Sequence, residues 1–339
     1  MKWKLIANQK DLEEILPDLA SLEVLPMDLE ADSMYHYHEK ICLIQILGSQ
    51  YNYLIDPLSI PDIKPLLKTL AKKTLLFHAC DYDLHLLKTT WNFVPHKIQD
   101  TALCAKILGI PKEGLQYLLK TYFNIDIDKK FQKANWAIRP LKEELLEYAA
   151  GDTLHLIPLR DQMFAELKEK NRMAWAEEFF EVQRTPALKP PNENAWRIKE
   201  SNRLYPKELG ALKILWEFRD KIASKKDLPA FKIIANPRML EIARTVYKNH
   251  PVKLSDLKRL PKSILSLDLS ALIQKFNQQL LLPNSQQPQR LKPDLSKIKI
   301  PNSQIMEKLK NFRSELAQKL DMSEPTIANK AQLIHLAQN

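Results

Sequence analysis

Apolar positions along the first half of the chain fall in short compact runs. SLEVLPMDLE (21–30), KICLIQIL (40–47) and YNYLID (51–56) predict three strands in quick succession. PDIKPLLKTLAKK then reads as a helix, TLLFHA as a buried strand, DYDLHLLKTTW as a helix opened by acids, and KIQD as a brief strand. From Leu141 to about Lys168 the spacing is helical, with Pro140 just ahead of it, where proline is tolerated. Consecutive strands followed by strand and helix alternation predict an α/β domain with a mixed sheet.

The periodicity stops at RTPALKPPNENAW, where prolines gather, and a linker is expected there. Beyond it the pattern is helical in LYPKELGALKILWEFRDKIASKKDL, PRMLEIARTVYK, LSDLKRL and SLDLSALIQKFNQQLL. A second break, PNSQQPQRLKPDLSKIKIPNS, precedes further helices. Residues 215–244 and 309–338 repeat one another at a spacing of 94 positions: Phe218, Arg219, Ala223, Asp227, Ile233 and Ala243 recur as Phe312, Arg313, Ala317, Asp321, Ile327 and Ala337. Identities of this kind over thirty ungapped residues favour a duplicated helical module, of which the second copy is expected to be partial.

Charge separates these regions. Residues 1–185 hold 23 Lys and Arg against 27 Asp and Glu, and the remainder holds 28 against 14. The net of +14 beyond residue 185 fits a polyanionic partner, and a basic surface kept for solubility explains it equally well. Three scattered cysteines, Cys42, Cys80 and Cys104, argue against a disulfide framework or a structural zinc site and fit a reducing cytosol. No signal-peptide core opens the chain and no apolar run reaches membrane-spanning length, so a soluble cytoplasmic protein is expected. Among only five glycines there is neither a phosphate loop nor G-x-G-x-x-G, which disfavours nucleotide-hydrolysing motors and dinucleotide enzymes.

Candidate chemistry lies in three segments. PMDLEADS sets Asp28, Glu30 and Asp32 on alternate positions, so Asp28 and Glu30 share one face of a strand. Solvation at a strand end would answer their repulsion, and so would a hard divalent cation, which needs further acids from elsewhere. FHACDYDLHLL supplies Asp81 and Asp83 past a buried strand, where a helix N-terminus favours acids without any catalytic role. LEYAAGDTLHL supplies Tyr148 and Asp152, four apart on one helical face.

Taken in order, these segments resemble the DEDDy branch of the DnaQ-like 3′→5′ exonucleases. KICLIQI, LIDPL, FHACDYDL, DTALCAKILG, KANWAIRPL and LEYAAGDTLHLIPL resemble ribonuclease D across roughly residues 20–165, and AWRIK in the linker matches it too. LWEFRDKIA and LKNFRSELA resemble the helicase-and-ribonuclease-D C-terminal (HRDC) domain, which occurs twice in ribonuclease D. The resemblance implies a ribonuclease H-like exonuclease domain over 1–185, a linker over 186–204, a first HRDC domain over 205–283, a second linker over 284–303, and a partial HRDC-like module over 304–339.

It implies that Asp28, Glu30, Asp83 and Asp152 bind metal and that Tyr148 orients water, with Asp32 and Asp81 as bystanders. Two divalent cations, Mg²⁺ or Mn²⁺, would then drive RNA hydrolysis, with Tyr148 too weak an acid to serve as the base itself. Lys129, Gln132, Trp136 and Arg139 match a stretch bordering the family's site, so phosphate or base contact is expected of them, beside the plainer readings of core packing for Trp136 and surface charge for Lys129 and Arg139. His78, at a strand end, is either a substrate contact or a satisfied buried histidine.

This chain departs from the family in flanking Glu30 with Leu29 and Ala31, and in carrying His36-Tyr37-His38-Glu39 in place of a Tyr-Tyr-Pro, a minor candidate for a transition-metal site. Lys225, Lys226, Lys232, Arg238, Lys258, Arg259 and Lys262 are candidates for gripping RNA. The expected partner is structured RNA with a single-stranded 3′ end, such as a transfer-RNA precursor, acted on by a monomer. A DNA exonuclease and a catalytically inactive RNA-binding scaffold are the competing readings.

Overall fold

The computed structural model describes residues 2–128, 130–186, 192–291 and 302–338. Lys129 and parts of both expected linkers lie outside the described residues. The chain divides into two compact units, one drawn from residues 1–32, 40–188 and 299–339, the other from 33–39 and 189–298.

In the first unit, β1 (Lys2–Ile6), β2 (Val24–Ala31), β3 (Ile41–Leu47), β4 (Tyr51–Ile55), β5 (Thr74–Phe77) and β6 (Lys97–Asp100) form one sheet in the order β1-β4-β3-β2-β5-β6. The β2, β3 and β4 strands pair antiparallel, and β1 on β4, β5 on β2 and β6 on β5 run parallel, so the expected mixed sheet is borne out. The first strand does not stand out in the sequence. KWKLI is short, and its partner Tyr51–Ile55 lies far along the chain. A register shift between Glu30 and Ala31 leaves Cys42 opposite no partner, a bulge in β3 beside the acids of β2.

One face of the sheet feeds Met27, Leu29, Ile44 and Ile46 into a large core shared with α1 (Gln9–Ser21), α2 (Lys64–Leu70), α3 (Asp81–Trp91), α4 (Thr101–Leu108), α5 (Leu115–Phe123), α7 (Leu156–Glu169) and α8 (Met173–Gln183). On the other face Leu43 and Leu54 meet Leu145, Leu146 and Ala149 of α6 (Glu143–Leu154). Each large side chain buried there contributes about 1.5–3 kcal/mol, which seats α6 across the sheet. Asn52, fully enclosed on β4, fixes its register by donating to the Ala150 carbonyl at 2.7 Å and to Thr153 Oγ1 at 2.6 Å.

The single helix expected over 141–168 is two, parted at His155. Pro158 has no N–H for the Leu154 carbonyl and its ring crowds that oxygen, so one continuous helix cannot pass through.

The second unit is helical: α9 (Pro206–Lys226), α10 (Ala230–Ile233), α11 (Asn236–Lys248), α12 (Lys262–Leu265) and α13 (Ser270–Leu281) enclose Leu212, Leu215, Ala243 and Phe276. The repeat is structural as well as textual. In α14 (Ser303–Leu320), α15 (Glu324–Ile327) and α16 (Lys330–Gln338) the same long helix, short helix, helix order recurs. Asp227 ends α9 in a left-handed cap on the Ala223 carbonyl, as Asp321 ends α14 on that of Ala317. Arg219 donates to the Ile234 carbonyl, as Arg313 does to that of Ala328, each at 3.1 Å.

The α14–α16 copy belongs to the first unit. Arg172 holds it there, one guanidinium nitrogen donating to the Ile107 carbonyl and the other to that of Leu320. Gly109 caps α4 at φ +84°, and any side chain at that position would collide with the Asp321 carbonyl.

Candidate active site

Five side chains from three elements define the site. Asp28 and Glu30 project from β2, Asp83 sits in the first turn of α3, and Tyr148 and Asp152 lie one turn apart on α6. One carboxylate oxygen from each of Asp28, Glu30 and Asp152 lies within 4.8 Å of the other two. Burial and mutual repulsion both disfavour ionisation. Burial pushes Asp28 up to about 7, with partial relief from the Leu29 amide, and Asp152 up to about 8, with Asp28 adding to the effect. Glu30 rises to about 10 through burial and then the charges of Asp28, Asp152 and Asp83. Asp83 is held well above the ordinary carboxylate range, first by burial and then by Asp28.

Such a cluster is stable when ionised only with a cation among its oxygens, and an all-carboxylate donor set suits a hard divalent ion. The residues therefore fit the metal that the motif implies. Tyr148 feels the same surroundings: burial, then Asp152, Glu30 and Asp28, push its phenol further up, so the O–H stays protonated at neutral pH. Its ring is caged by Phe131 at 5.9 Å, edge to face, and by Trp136 at 6.2 Å.

The turn that presents Asp83 is braced by a residue outside the motif. Ala79 takes a left-handed conformation, φ 63°, ahead of α3. Fully buried Asp100 accepts from the amides of Ala79 at 3.0 Å and Cys80 at 2.9 Å, while also capping α4 through Ala102 at 2.7 Å. An acid directly before a helical TALCAKIL is a readable N-cap signal, but its second role depends on folding.

The flanking candidates take different places. Arg139 has all five N–H donors engaged: Nε and Nη2 grip Asp56 at 2.6 and 2.7 Å, Nη2 also reaches the Cys42 carbonyl, and Nη1 reaches those of Trp136 and Ile138. No donor is left for a phosphate, and Arg139 braces the 131–139 segment instead. Trp136 is 1% exposed and packs under Tyr148, so it is core. His78 shares a 2.8 Å hydrogen bond with Thr101 Oγ1, and Gln132 is exposed. Asp32 is buried and receives the Lys40 amide at 2.7 Å, and Asp81 is bonded by Gln183 at 2.8 Å, so both are otherwise occupied. His36 pairs with Asp227 at 3.0 Å, and the acid cluster is the one group of metal-ligating geometry among the described residues.

In the second unit, Lys221, Lys225, Lys226 and Lys275, outnumbering Glu217 and Asp268, line a groove of about 570 Å³ together with Ile214, Phe218 and Leu272. Of the other basic candidates, Arg259 is paired with Glu241, and Lys232 lies over the Tyr35 ring at 4.3 Å.

Residues 4–168 match the 3′-5′ exonuclease family and residues 208–263 the HRDC domain. The chain thus resembles a DnaQ-like 3′-5′ exonuclease domain followed by an HRDC domain. Its relatives include ribonuclease D of Haemophilus influenzae, 28% identical over 271 residues that take in 75% of this chain and 65% of that one, just under two thirds of its length. Ribonuclease D of Escherichia coli is 24% identical over 99% of this chain and 90% of its own. The crystal structure of the Escherichia coli protein, described as an exoribonuclease involved in structured RNA processing, has the same fold, with a TM-score of 0.77 at 24% identity over 99% of this chain and 90% of that one. The resemblance to ribonuclease D read from the motifs is borne out. No described helix is long and apolar enough to cross a membrane.

Proposed function

We propose that this chain is a 3′→5′ exoribonuclease of the ribonuclease D kind, removing 5′-mononucleotides from RNA 3′ ends. The observation that carries the reading is the convergence of Asp28, Glu30 and Asp152 oxygens within 4.8 Å, electrostatically coupled to Asp83. Asp28, Glu30, Asp83 and Asp152 would hold two divalent cations, Mg²⁺ or Mn²⁺. When bound, the cations acidify water and stabilise charge on the leaving 3′ oxygen. Tyr148 Oη, kept protonated, donates a hydrogen bond that aims the attacking water, and Phe131 and Trp136 keep its ring in place. Water oxygen bonds to phosphorus as the P–O3′ bond breaks, giving a 5′-mononucleotide and a new RNA 3′ hydroxyl.

The lysine-rimmed groove supplies a salt-dependent hold on the RNA backbone. The substrate we favour is structured RNA with a single-stranded 3′ end, such as a transfer-RNA precursor, and the protein acts as a monomer in the cytoplasm. The description of the Escherichia coli relative supports the substrate class. The basic composition beyond residue 185 supports a polyanionic partner. Three buried free cysteines support a reducing compartment.

The test is turnover of matched RNA and DNA oligomers with Mn²⁺ or Mg²⁺, with and without EDTA. Release of 5′-mononucleotides from RNA, stopped by EDTA and by Asp28→Ala, is expected. Faster cleavage of DNA would make the chain a DNA exonuclease, and RNA binding without any turnover would make it a scaffold. Light scattering checks the monomer, and a mass of twice 39.5 kDa refutes it.

A further inference from the structure

A glutamine stands in the middle of the most apolar strand of the sheet. In ICLIQIL every position is buried, and Gln45 is wholly enclosed with neither its Nε2 nor its Oε1 hydrogen-bonded. A buried amide left without partners carries a desolvation cost that leucine at the same place would not. The sequence around Gln45 offers no local reason to carry that cost.

Register supplies one. Gln45 pairs directly with Asp28 across β2 and β3, and with Leu54 across β3 and β4, so the three side chains form a row on one face of the sheet. That is the face bearing Glu30 and covered by α6. Toward β4 the directly opposite neighbour, Leu54, is apolar, while Asn52, two residues away on that strand, gives its amide hydrogens to Ala150 and Thr153 and has an Oδ1 that is likewise without a partner. Toward β2 the neighbour is a carboxylate of the cluster. Side chains directly opposite in an antiparallel pair have Cβ atoms about 4.5–5.5 Å apart, within the span of a glutamine amide.

We propose that Gln45 is a positioning residue for Asp28, its amide N–H donating to that carboxylate when the site holds its cation. The inference rests on the metal-site reading of the acid cluster. It assigns Gln45 no contact with RNA or water. The hydrogen bond holds Asp28 in one rotamer, so the carboxylate arrives oriented for the cation and does not swing between Glu30 and Asp152. Partners of this second kind govern metal affinity by factors of about 10–100 when removed.

The experiment is Mn²⁺ binding by titration calorimetry on the full chain, with Gln45→Leu and Gln45→Met compared with wild type. Both replacements keep bulk and remove the amide, and methionine, unbranched like glutamine, serves if leucine does not fold. About tenfold weaker Mn²⁺ binding is expected, with an equal or higher metal-free melting temperature. On RNA at saturating Mn²⁺, kcat should fall about tenfold with KM unchanged. Unchanged Mn²⁺ affinity together with a higher melting temperature would show Gln45 to be only a misfit in the core and overturn the proposal. A raised KM with unchanged metal affinity would overturn it as well, by making Gln45 a substrate contact. Because binding is read without RNA, a wild-type protein that binds Mn²⁺ but cleaves nothing would sink the nuclease reading and leave the Gln45 test intact.

Discussion

The acid cluster and the lysine-rimmed groove both crowd like charges, and they handle the crowding in opposite ways. In the cluster, half-buried carboxylates from β2 and α6 and the buried Asp83 of α3 crowd one another, and proton affinities climb to about 7 for Asp28, 8 for Asp152 and 10 for Glu30. In the groove, Lys221, Lys225, Lys226 and Lys275 are spread along α9 and α13 and are all exposed, with Glu217 and Asp268 among them. Solvent and salt relieve the lysines at almost no cost. Only a proton or a cation can relieve the acids. The first arrangement is therefore specific and costly, the second general and cheap, which is the division that the proposed cutting and holding would require.

The sharpest way to break this contrast is to remove one acid. Asp28→Ala takes away one member of the trio and several kcal/mol of charge stabilisation with it, so turnover of an RNA oligomer should fall by about three powers of ten. A drop of less than tenfold would mean that the cluster is not where cutting happens. EDTA should match the mutant, and added Mn²⁺ should restore only the wild type.

The same crowding should be visible as a stability penalty in the metal-free protein. Carboxyls whose folded proton affinity is raised bind more protons folded than unfolded, so metal-free stability should increase as pH falls from about 8 toward 5. Glu30→Gln removes a group raised further than Asp28 or Asp152 and keeps its shape, so it should raise the metal-free melting temperature at pH 8 by about 2–4 °C and flatten the pH slope. It should abolish turnover at the same time. A lower melting temperature at pH 8 would show that the carboxylate is structurally required and that the cost of enclosing it among like charges is not the dominant effect.

Much of this architecture is legible in the chain because it rests on local pattern. Strand runs, the D-x-E on one strand face, Y-x-x-x-D on one helix face and the 94-residue repeat depend on spacing alone, and the repeat holds even to matched arginine hydrogen bonds. What escapes such reading depends on partners distant in sequence. Arg139 has the look of a phosphate contact until Asp56, 83 residues away, absorbs its guanidinium. Asp100 braces a turn twenty residues earlier, and β1 exists only because β4 accepts it. Gln45 is inconspicuous inside an apolar strand, since its meaning comes from register opposite Asp28.

The repeat also shows what spacing cannot convey, namely burial. Ala211 and Leu215 on α9 are wholly enclosed, while their counterparts in α14, Ile305 and Leu309, are exposed and half-buried, and Phe312 is 62% exposed. In the first copy α13 packs along α9 and supplies the cover. The shared letters specify the helix, its left-handed cap and the arginine bond, and the neighbours decide what is core.

A gentler probe acts on the groove alone. Lys225→Glu with Lys226→Glu should weaken RNA binding several-fold at 50 mM KCl and reduce the salt slope by about 2, one for each phosphate no longer neutralised. The kcat at saturating RNA should hold, because neither lysine belongs to the cluster. An unchanged slope would move the grip elsewhere on the basic surface.

The smallest effect compares the two regions directly through added salt. Between 50 and 200 mM KCl the Debye length shrinks by about half, which matters for charges in water and scarcely for charges enclosed by protein. The melting-temperature gain from Glu30→Gln in metal-free protein should therefore persist within about 1 °C across that range. The binding deficit of the double lysine mutant should shrink over the same interval, because wild type has more phosphate contacts for salt to weaken. If the Glu30→Gln gain faded in step with the lysine deficit, the acids would be screened like surface charges, and the distinction between a buried and an exposed concentration of charge would fail.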